Sequence, residues 1–250
     1  MFRAVSAYDR FMGRYSDPLA PRLCDFAGVT PGQRALDVGS GPGALTGELV
    51  RRLGAASVLA ADPSEPFVQA VRERHPGVDA RVGVAEQLPF PDRSVDVTLA
   101  QLVVHFLRDP VAGCREMRRV TRPGGVVAAC VWDFAGGGGP LSRFWEAARE
   151  LDPEVDDESA WSGTREGQLA EYLTRAGLTG VEQGALVIEV EHESFEAWWE
   201  PYTLGAGPAG AFVAGLEPEA RQRLRRRCRD LIGDGPGKVR GRAWCARGYA

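Results

Sequence analysis

The stretch ALDVGSGPGALT, residues 35–46, carries three glycines at alternating positions directly after a short apolar segment. A glycine-rich turn between a strand and a helix lets the backbone approach a nucleotide, with amides and the helix N-terminus facing the ligand. Read as G-x-G-x-x-A, the stretch suits a loop for a nicotinamide or flavin dinucleotide. Read from Asp37 as D-x-G-x-G-x-G, it suits a loop for S-adenosylmethionine. The glycines therefore predict a nucleotide site and leave the nucleotide open.

Two acidic residues near the loop bear on that choice. A dinucleotide brings an anionic pyrophosphate, which Asp37 would repel, whereas S-adenosylmethionine brings an ammonium and a sulfonium that suit a carboxylate. The alternative is that Asp37 only caps loop amides. Asp62 follows the third glycine by 19 residues (62 − 43) and is placed to accept the hydroxyls of a ribose, which both nucleotides contain. It also suits a simple cap of the next helix.

Strand and helix signals alternate from residue 17 to about 132. The predicted strands cover residues 33–38, 57–62, 78–85, 95–103 and 126–132, and Asp17-Pro18 predicts the start of the first helix. Strands that alternate with crossover helices imply a parallel sheet covered on both faces. The remainder predicts a helix at 164–176, a strand at 181–193, a helix at about 218–232 and a closing strand. No linker is visible, so we expect one domain spanning residues 1–250.

Composition excludes several classes of function. The chain has 250 residues and a net charge of −4, which argues against a broad nucleic-acid surface. It shows no apolar run near the roughly 20 residues that span a bilayer, and no secretory signal. Its five cysteines are widely spaced and form no CxxC pair, which favours reduced thiols in the cytoplasm and no metal site.

About 32 residues precede the first predicted strand, more than a dinucleotide-binding fold usually has. This extension contains Tyr8, Arg14 and Tyr15. If it folds over the nucleotide, Arg14 can reach a carboxylate, which methionine has and NAD lacks. The alternative places Arg14 on a solvated helix face.

Several segments together resemble one known family. They are AYDRFMGRYS (7–16), LDVGSGPG (36–43), AADPSEPF (60–67), AEQLPFPDRSVDV (85–97) and RVTRPGG (119–125). In order and spacing they resemble the class I S-adenosylmethionine-dependent methyltransferases related to ubiquinone and menaquinone biosynthesis enzymes. The resemblance covers residues 7–132 well. It implies a Rossmann-like α/β fold with a seven-stranded, mostly parallel sheet, helices on both faces, an antiparallel last strand and helical cap insertions.

The resemblance also divides the chain into parts. Residues 1–30 would form an N-terminal helical lid and residues 31–132 the cofactor-binding core. Residues 133–165 and 195–232 would form the cap that binds the acceptor. The expected partner is a small-molecule acceptor, with neither nucleic acid nor membrane, and the expected assembly is a monomer or homodimer.

On the methionine side, the resemblance implies that Tyr8 and Arg14 hold the carboxylate of the cofactor. The methionyl and ribose part would be lined by Asp37, Gly39, Ser40 and Gly41.

On the adenosine side, Asp62 would bind the ribose hydroxyls and Pro63 would lie against the adenine. Ala85 and Glu86 would meet the adenine edge, and the backbone carbonyl of Gln101 would accept from an amino group. The chain departs from the family pattern at residue 84, a valine where aspartate is frequent.

An oxygen nucleophile of high pKa, or an acidic carbon, needs a general base. His105 follows the fourth predicted strand, at the edge where open α/β sheets bind ligands, and is the candidate base. The alternative is a histidine that orients its loop or packs under Phe106. Tryptophans and a tyrosine beyond the fifth strand suit an acceptor lid or, equally, the core of a cap: Trp132, Trp161, Trp198, Trp199 and Tyr202.

Three functions are therefore compatible with the sequence. The leading one is methyl transfer from S-adenosylmethionine to an oxygen, nitrogen or carbon atom of a metabolite. The second is an oxidoreductase that uses NAD(P), because the loop also fits that template. The third is a protein that binds S-adenosylmethionine without transferring its methyl group.

Overall fold

The computed structural model describes residues 6–250, so the first five residues of the predicted N-terminal lid lie outside the described part. The strands are β1 (Ala35–Val38), β2 (Val58–Asp62), β3 (Asp79–Val82), β4 (Val95–Gln101), β5 (Thr121–Trp132), β6 (Thr179–His192) and β7 (Gly237–Tyr249). The helices are α1 (Arg14–Ala27), α2 (Ala44–Leu53), α3 (Glu65–Arg74), α4 (Pro110–Val120), α5 (Ser142–Leu151), α6 (Gln168–Arg175), α7 (Phe195–Trp199), α8 (Gly207–Gly215) and α9 (Pro218–Ile232).

All seven strands form one sheet in the order β3-β2-β1-β4-β5-β7-β6. The pairs from β3 through β5 are parallel, whereas β7 is antiparallel to both β5 and β6. The predicted mostly parallel sheet with an antiparallel last strand is confirmed. Strand order reverses between β1 and β4, and in open α/β sheets the crevice at such a reversal is where ligands bind. The glycine loop leaves β1 at this crevice.

The central strands are buried on both faces, which explains their nearly continuous apolar sequence. Alternate residues of β1 point to opposite sides: Ala35 joins the core beneath α1, α2 and the cap, while Leu36 joins the core beneath α4 and α6. Asp37 shares the face of Ala35 and is only 1% exposed. The alternation therefore buries a carboxyl group in the core that contains α1 and α2.

The first helix begins earlier than the sequence predicts. A π-helical turn, Asp9–Gly13, leads directly into α1, so the predicted start at Asp17 is wrong. Phe11 and Tyr15 are both buried in the core shared with the cap. Their burial extends helical structure upstream of the Asp-Pro pair, a tertiary effect that local capping preferences do not contain.

The two segments predicted as a cap contain α5 and α7 to α9. Helices α5 and α9 pack against each other, and Arg227 of α9 forms an ion pair with Glu150 of α5. Trp198 and Trp199 are buried, as the interpretation of a cap core requires. None of the helices within residues 6–250 is long and apolar enough to cross a membrane.

Asp133 joins the end of β5 to β7 and to the glycine-rich loop that follows. It is 1% exposed. Its Oδ2 accepts from Nε of Arg242 at 2.8 Å, and its Oδ1 accepts from the indole of Trp244 at 3.0 Å and from the amide of Gly136 at 2.9 Å. One buried carboxylate thus satisfies donors from two segments, β7 and the glycine-rich loop.

We expect Asp133→Ala to lower the free energy of unfolding by about 3 kcal/mol, because three donors lose a shared charged acceptor. The matched control is Glu189→Ala, which removes an exposed ion pair with Lys238 and should cost less than about 1 kcal/mol. Urea denaturation followed by circular dichroism measures both. Losses of equal size would contradict the role given to Asp133.

Candidate functional site

The glycine loop uses its own amides within the protein. The amides of Gly39 and Ser40 both donate to the carbonyl of Ala61, at 2.7 and 3.0 Å, and the amide of Gly43 donates to the carbonyl of Ser40 at 3.1 Å. The amide of Gly41 donates to Oδ2 of Asp62 at 2.8 Å. Residue 42 is proline and has no N–H group. Every N–H group from residue 39 to residue 43 therefore already donates to an acceptor within the protein. The loop offers none of them to a pyrophosphate.

Gly39 is required by both conformation and space. Its φ of 68° lies in the left-handed region, and a Cβ atom there would collide with the side chain of Val103. The loop therefore lies directly against the residues that follow β4. This contact brings the ends of β1 and β4 together at the crevice.

Asp37 is a buried acceptor at the end of β1. Its Oδ2 accepts from the hydroxyl of Thr46, on α2, at 2.6 Å. Burial raises the pKa of Asp37 to about 7, partly offset by the hydrogen bond from Thr46 and reinforced by the charge of Asp62. The donor is a hydroxyl of α2, whereas the amides of residues 39–43 bond to other acceptors, so Asp37 does not cap the amides of this loop.

Asp62 connects the glycine loop to the start of α3. Besides the amide of Gly41, it accepts from the amide of Ser64 at 2.8 Å through Oδ1, while the Ser64 side chain makes no capping bond. Burial raises the pKa of Asp62. Within residues 6–250, neither Asp37 nor Asp62 has an arginine or lysine at ion-pair distance. Each carboxylate oxygen keeps a lone pair for a further donor.

Tyr8 lies over the glycine loop. A Cβ atom on Gly41 would be 3.9 Å from the Tyr8 hydroxyl, and the Tyr8 ring lies 5.5 Å from that of Phe67. Burial, and next the charge of Asp62, raise the pKa of Tyr8 to about 12, so its hydroxyl stays protonated. Arg74 holds this segment in place through an ion pair with Asp9.

The side chain of Arg14 lies against the cap. Its Nη1 and Nη2 donate to the carbonyls of Ala197 and Trp198 at 3.3 and 3.4 Å, and its guanidinium carbon is 4.7 Å from the centre of the Tyr15 ring. These contacts place it between α1 and the cap. The structure thus brings Tyr8 to the loop and positions Arg14 against α7.

The residues expected to meet adenine surround the end of β3. Pro63 is exposed next to Asp62, and Ala85 is buried. Glu86 accepts the amide of Arg108 at 3.1 Å. Val84 is 46% exposed, a large apolar side chain open to solvent at this point. The surface beside Asp62 therefore offers apolar contact to a flat ring.

Gln101 ends β4 with its side chain turned toward α1. Its Nε2 donates to the carbonyl of Ser16 at 3.1 Å, and its Oε1 is buried without a hydrogen bond. The next residue, Leu102, has a φ of 60°. A left-handed leucine is strained, and such strain concentrates at functional sites. No local sequence signal marks it.

His105 is buried among aromatic rings. Its ring centre lies 4.0 Å from that of Phe106, 6.0 Å from that of Trp161 and 6.3 Å from that of Phe134. Burial lowers the pKa of His105 to about 3. The imidazole is neutral at neutral pH, but it binds a proton weakly. This environment favours the packing alternative over the general base, whose assignment stays a prediction.

Sequence reasoning missed two polar residues at the site. Thr46 bonds Asp37 from within an apolar helix face. Glu158 is 3% exposed, has a φ of 66° and accepts from the indole of Trp145 at 3.1 Å, and burial raises its pKa to about 7. Its loop also carries Trp161, which reaches His105. Glu158 directly follows Asp156 and Asp157, and only the tertiary structure reveals its burial.

A family model described as a methyltransferase domain matches residues 36–129, from β1 to β5. Over these residues the chain is similar to the class I S-adenosylmethionine-dependent methyltransferases. This confirms the resemblance drawn from the sequence motifs. The match covers the crevice, the glycine loop and both acidic strand ends, whereas the cap lies outside it.

Individual relatives agree with this family. An uncharacterized methyltransferase of Mycobacterium bovis is 38% identical over 130 residues, which cover 52% of this chain and 50% of the relative. Malonyl-[acyl-carrier protein] O-methyltransferase of Serratia marcescens is 31% identical over 152 residues, covering 61% and 57%. The chain thus spans about half the length of the curated relatives it matches.

The fold also matches solved structures. Phosphoethanolamine N-methyltransferase 2 of Haemonchus contortus, in complex with phosphomonomethylethanolamine and S-adenosylhomocysteine, superposes with a TM-score of 0.60 at 18% identity. The match covers 98% of this chain and 56% of that one. At this identity the likeness concerns the fold alone.

Asp37 should make stability fall as pH rises. Between pH 5 and 7 the folded protein keeps a proton on Asp37 that the unfolded chain, with a pKa near 4, has released, so the free energy of unfolding decreases with pH. Between pH 5 and pH 8, the free energy of unfolding of the unsubstituted protein should fall by about 3 kcal/mol more than that of Asp37→Asn. Urea denaturation at each pH measures this. Parallel pH curves for the two proteins would show that the carboxyl is not perturbed.

His105 should make stability fall as pH falls, the opposite of the effect expected for Asp37. Its folded pKa lies below the unfolded value of 6.5, so it contributes stability above pH 6.5 that is lost as pH falls. The comparison variant is His105→Phe, which keeps an aromatic ring. Between pH 6.5 and pH 5, the free energy of unfolding of the unsubstituted protein should fall by about 2 kcal/mol more than that of this variant. Thermal or urea unfolding at both pH values tests it. An identical acid response in both proteins would mean that His105 titrates normally.

Proposed function

We propose that this protein transfers a methyl group from S-adenosylmethionine to a small-molecule acceptor by in-line displacement. The observation that carries the proposal is the pair of buried carboxylates, Asp37 and Asp62, beside a glycine loop whose amides are already bonded. This arrangement suits a ligand that is cationic and rich in hydroxyl donors. It does not suit a pyrophosphate, which needs free amides.

Asp37 would face the ammonium and sulfonium side of the cofactor, where a buried carboxylate without a cation gains most from a positive charge. Tyr8, protonated and placed over Gly41, would close the site from above and exclude water. The loop residues expected to line the methionyl and ribose part are Gly39, Ser40 and Gly41.

Asp62 would accept the ribose hydroxyls through the lone pairs that Gly41 and Ser64 leave free. Pro63, Ala85 and Glu86 would surround the adenine, with exposed Val84 adding apolar contact where the family often has aspartate. The backbone carbonyl of Gln101 would accept from an amino group of the cofactor.

The cofactor supplies an electrophilic methyl group on a sulfonium, and this chain has to align the nucleophile and keep water away. Alignment alone is worth up to about 7–11 kcal/mol in favourable cases. Elements of the cap and the residues after β4 and β5 bring aromatic rings together at the crevice, among them those of Phe106, Phe134 and Trp161. These rings suit a small, largely apolar acceptor. The cytoplasmic location and the monomer or homodimer expected from the sequence stay predictions.

The geometry of the site disfavours one of the two alternative functions and is compatible with the other. An NAD(P)-dependent oxidoreductase is disfavoured because the loop has no free amide from 39 to 43 and because the carboxylate of Asp37 would repel the pyrophosphate. Binding of S-adenosylmethionine without methyl transfer is compatible with the same geometry, since a fold does not by itself determine a reaction.

Isothermal titration calorimetry with S-adenosylhomocysteine and with NADH tests the proposal. We expect S-adenosylhomocysteine to bind and NADH not to bind. Asp62→Ala should weaken S-adenosylhomocysteine at least tenfold, because the ribose loses its acceptor and the loop its anchor. The control Asp92→Asn changes an exposed carboxylate paired with Arg119 and should leave the affinity unchanged. Tight NADH binding without S-adenosylhomocysteine binding would overturn the proposal.

A further inference from the structure

Four hydrogen-bond donors lie between α1 and the cap without an acceptor. We call them the donor cluster: Nε of Arg14, the hydroxyls of Tyr15 and Tyr202, and Nε1 of Trp198. Each atom is buried, and none meets strict hydrogen-bond geometry within the described part of the chain, although the hydroxyls of Tyr15 and Tyr202 lie close enough to pair with each other. A buried donor left unpaired is costly, and native proteins seldom keep several in one place. The donor cluster therefore indicates a ligand that supplies acceptors.

Aromatic packing holds the donor cluster in place. The ring of Tyr202 is fully buried and stacks on that of Phe144, with centres 4.6 Å apart and planes 8° apart. Trp198 lies 4.7 Å and Phe11 5.2 Å from the same ring. Because the ring is enclosed on several sides, its hydroxyl has a defined position, next to the hydroxyl of Tyr15.

The donor cluster also carries a positive charge without a counter-ion. The Arg14 guanidinium carbon lies 4.7 Å from the centre of the Tyr15 ring and 5.8 Å from that of Tyr202. No carboxylate in residues 6–250 reaches it at ion-pair distance. Burial raises the pKa of both tyrosines, so their hydroxyls are protonated and able to donate. A cation surrounded by neutral donors is complementary to an oxyanion.

A cavity lies next to the donor cluster. Trp198 forms part of the wall of a cavity of about 870 Å³, which Phe134 and Trp145 also line together with charged side chains such as Arg149 and Arg242. Phe134 follows β5 and contacts the ring of His105 at the crevice. This volume is within the range of small-molecule sites. The shared side chain of Trp198 links the donor cluster to a space large enough for the body of a ligand.

We infer that the donor cluster binds a carboxylate or similar oxyanion of the acceptor, whose body lies in this cavity. The inference rests on the proposed function only in naming the ligand as the acceptor. It also departs from the role expected for Arg14, which was the cofactor's carboxylate. Tyr8 lies at the glycine loop, whereas Arg14 contacts the carbonyls of Ala197 and Trp198 in the cap.

Calorimetry on the full chain saturated with S-adenosylhomocysteine tests this with two probe pairs. Phenylacetate and octanoate are each titrated beside the neutral amide of the same shape, phenylacetamide and octanamide. We expect each acid to bind at least tenfold more tightly than its amide. Tyr15→Phe and Tyr202→Phe, which remove one hydroxyl and keep the ring, should each weaken the acids about tenfold. Arg14→Gln should remove the preference for acids.

The control is Tyr249→Phe, which removes the hydroxyl of an exposed tyrosine at the end of β7 and should change neither affinity. If the protein binds S-adenosylhomocysteine but treats acids and amides alike, the inference is overturned and the proposed function stands. If the protein does not bind S-adenosylhomocysteine, the proposed function is overturned, and the ratio of acid to amide affinity measured without it still decides the inference.

A second comparison separates the two sources of a carboxylate. 5′-Methylthioadenosine keeps the adenosine of the cofactor and lacks its amino-acid part. If Tyr202→Phe weakens S-adenosylhomocysteine tenfold and leaves 5′-methylthioadenosine unchanged, the oxyanion belongs to the cofactor and the inference is overturned. Unchanged affinity for both, with weakened acid probes, supports the inference.

Discussion

Asp62 accepts the amides of Gly41 and Ser64, and these two hydrogen bonds determine how the glycine loop meets the neighbouring strand. With the carbonyl of Ala61 taking two more amides, the loop is closed onto β2. One consequence is chemical, since a closed loop presents carboxylates rather than N–H groups to a ligand. The other is structural, since the closed loop rests on Val103 and so aligns the ends of β1 and β4.

Hydrogen-bond acceptors and hydrogen-bond donors lie in different places around the crevice. The ends of β1 and β2 carry acceptors without a cation, Asp37 and Asp62. The seam between α1 and the cap carries donors without an acceptor, including Arg14 and Tyr202. Each set is unfavourable in isolation, and burial raises the pKa of Asp37 to about 7. Such local conflict between burial and charge is expected where a protein keeps its polar groups for a ligand.

The cap combines structural and functional roles in the same side chains. Trp198 is buried in the cap core, yet it also lines the cavity and belongs to the donor cluster. His105 is similar: its ring packs against Phe106 and Trp161, and that burial weakens it as a base. The sequence allowed Trp198 to belong to an acceptor lid or to the core of a cap, and it allowed His105 to be a general base or a packing residue. For His105, burial of the ring favours packing.

The sequence by itself determined the alternation of strands and helices up to β5, the glycine-rich turn and the likeness to methyltransferases, because these depend on local periodicity and on motifs of fixed spacing. It did not predict the cap helices α5, α7 and α8. It also placed Asp37 and Asp62 at strand ends. Only the tertiary structure decided what each polar group contacts. Arg14 meets carbonyls more than 180 residues away, and Glu158 is buried despite its acidic neighbours. Such contacts arise when distant segments pack together, and no local pattern encodes the partner.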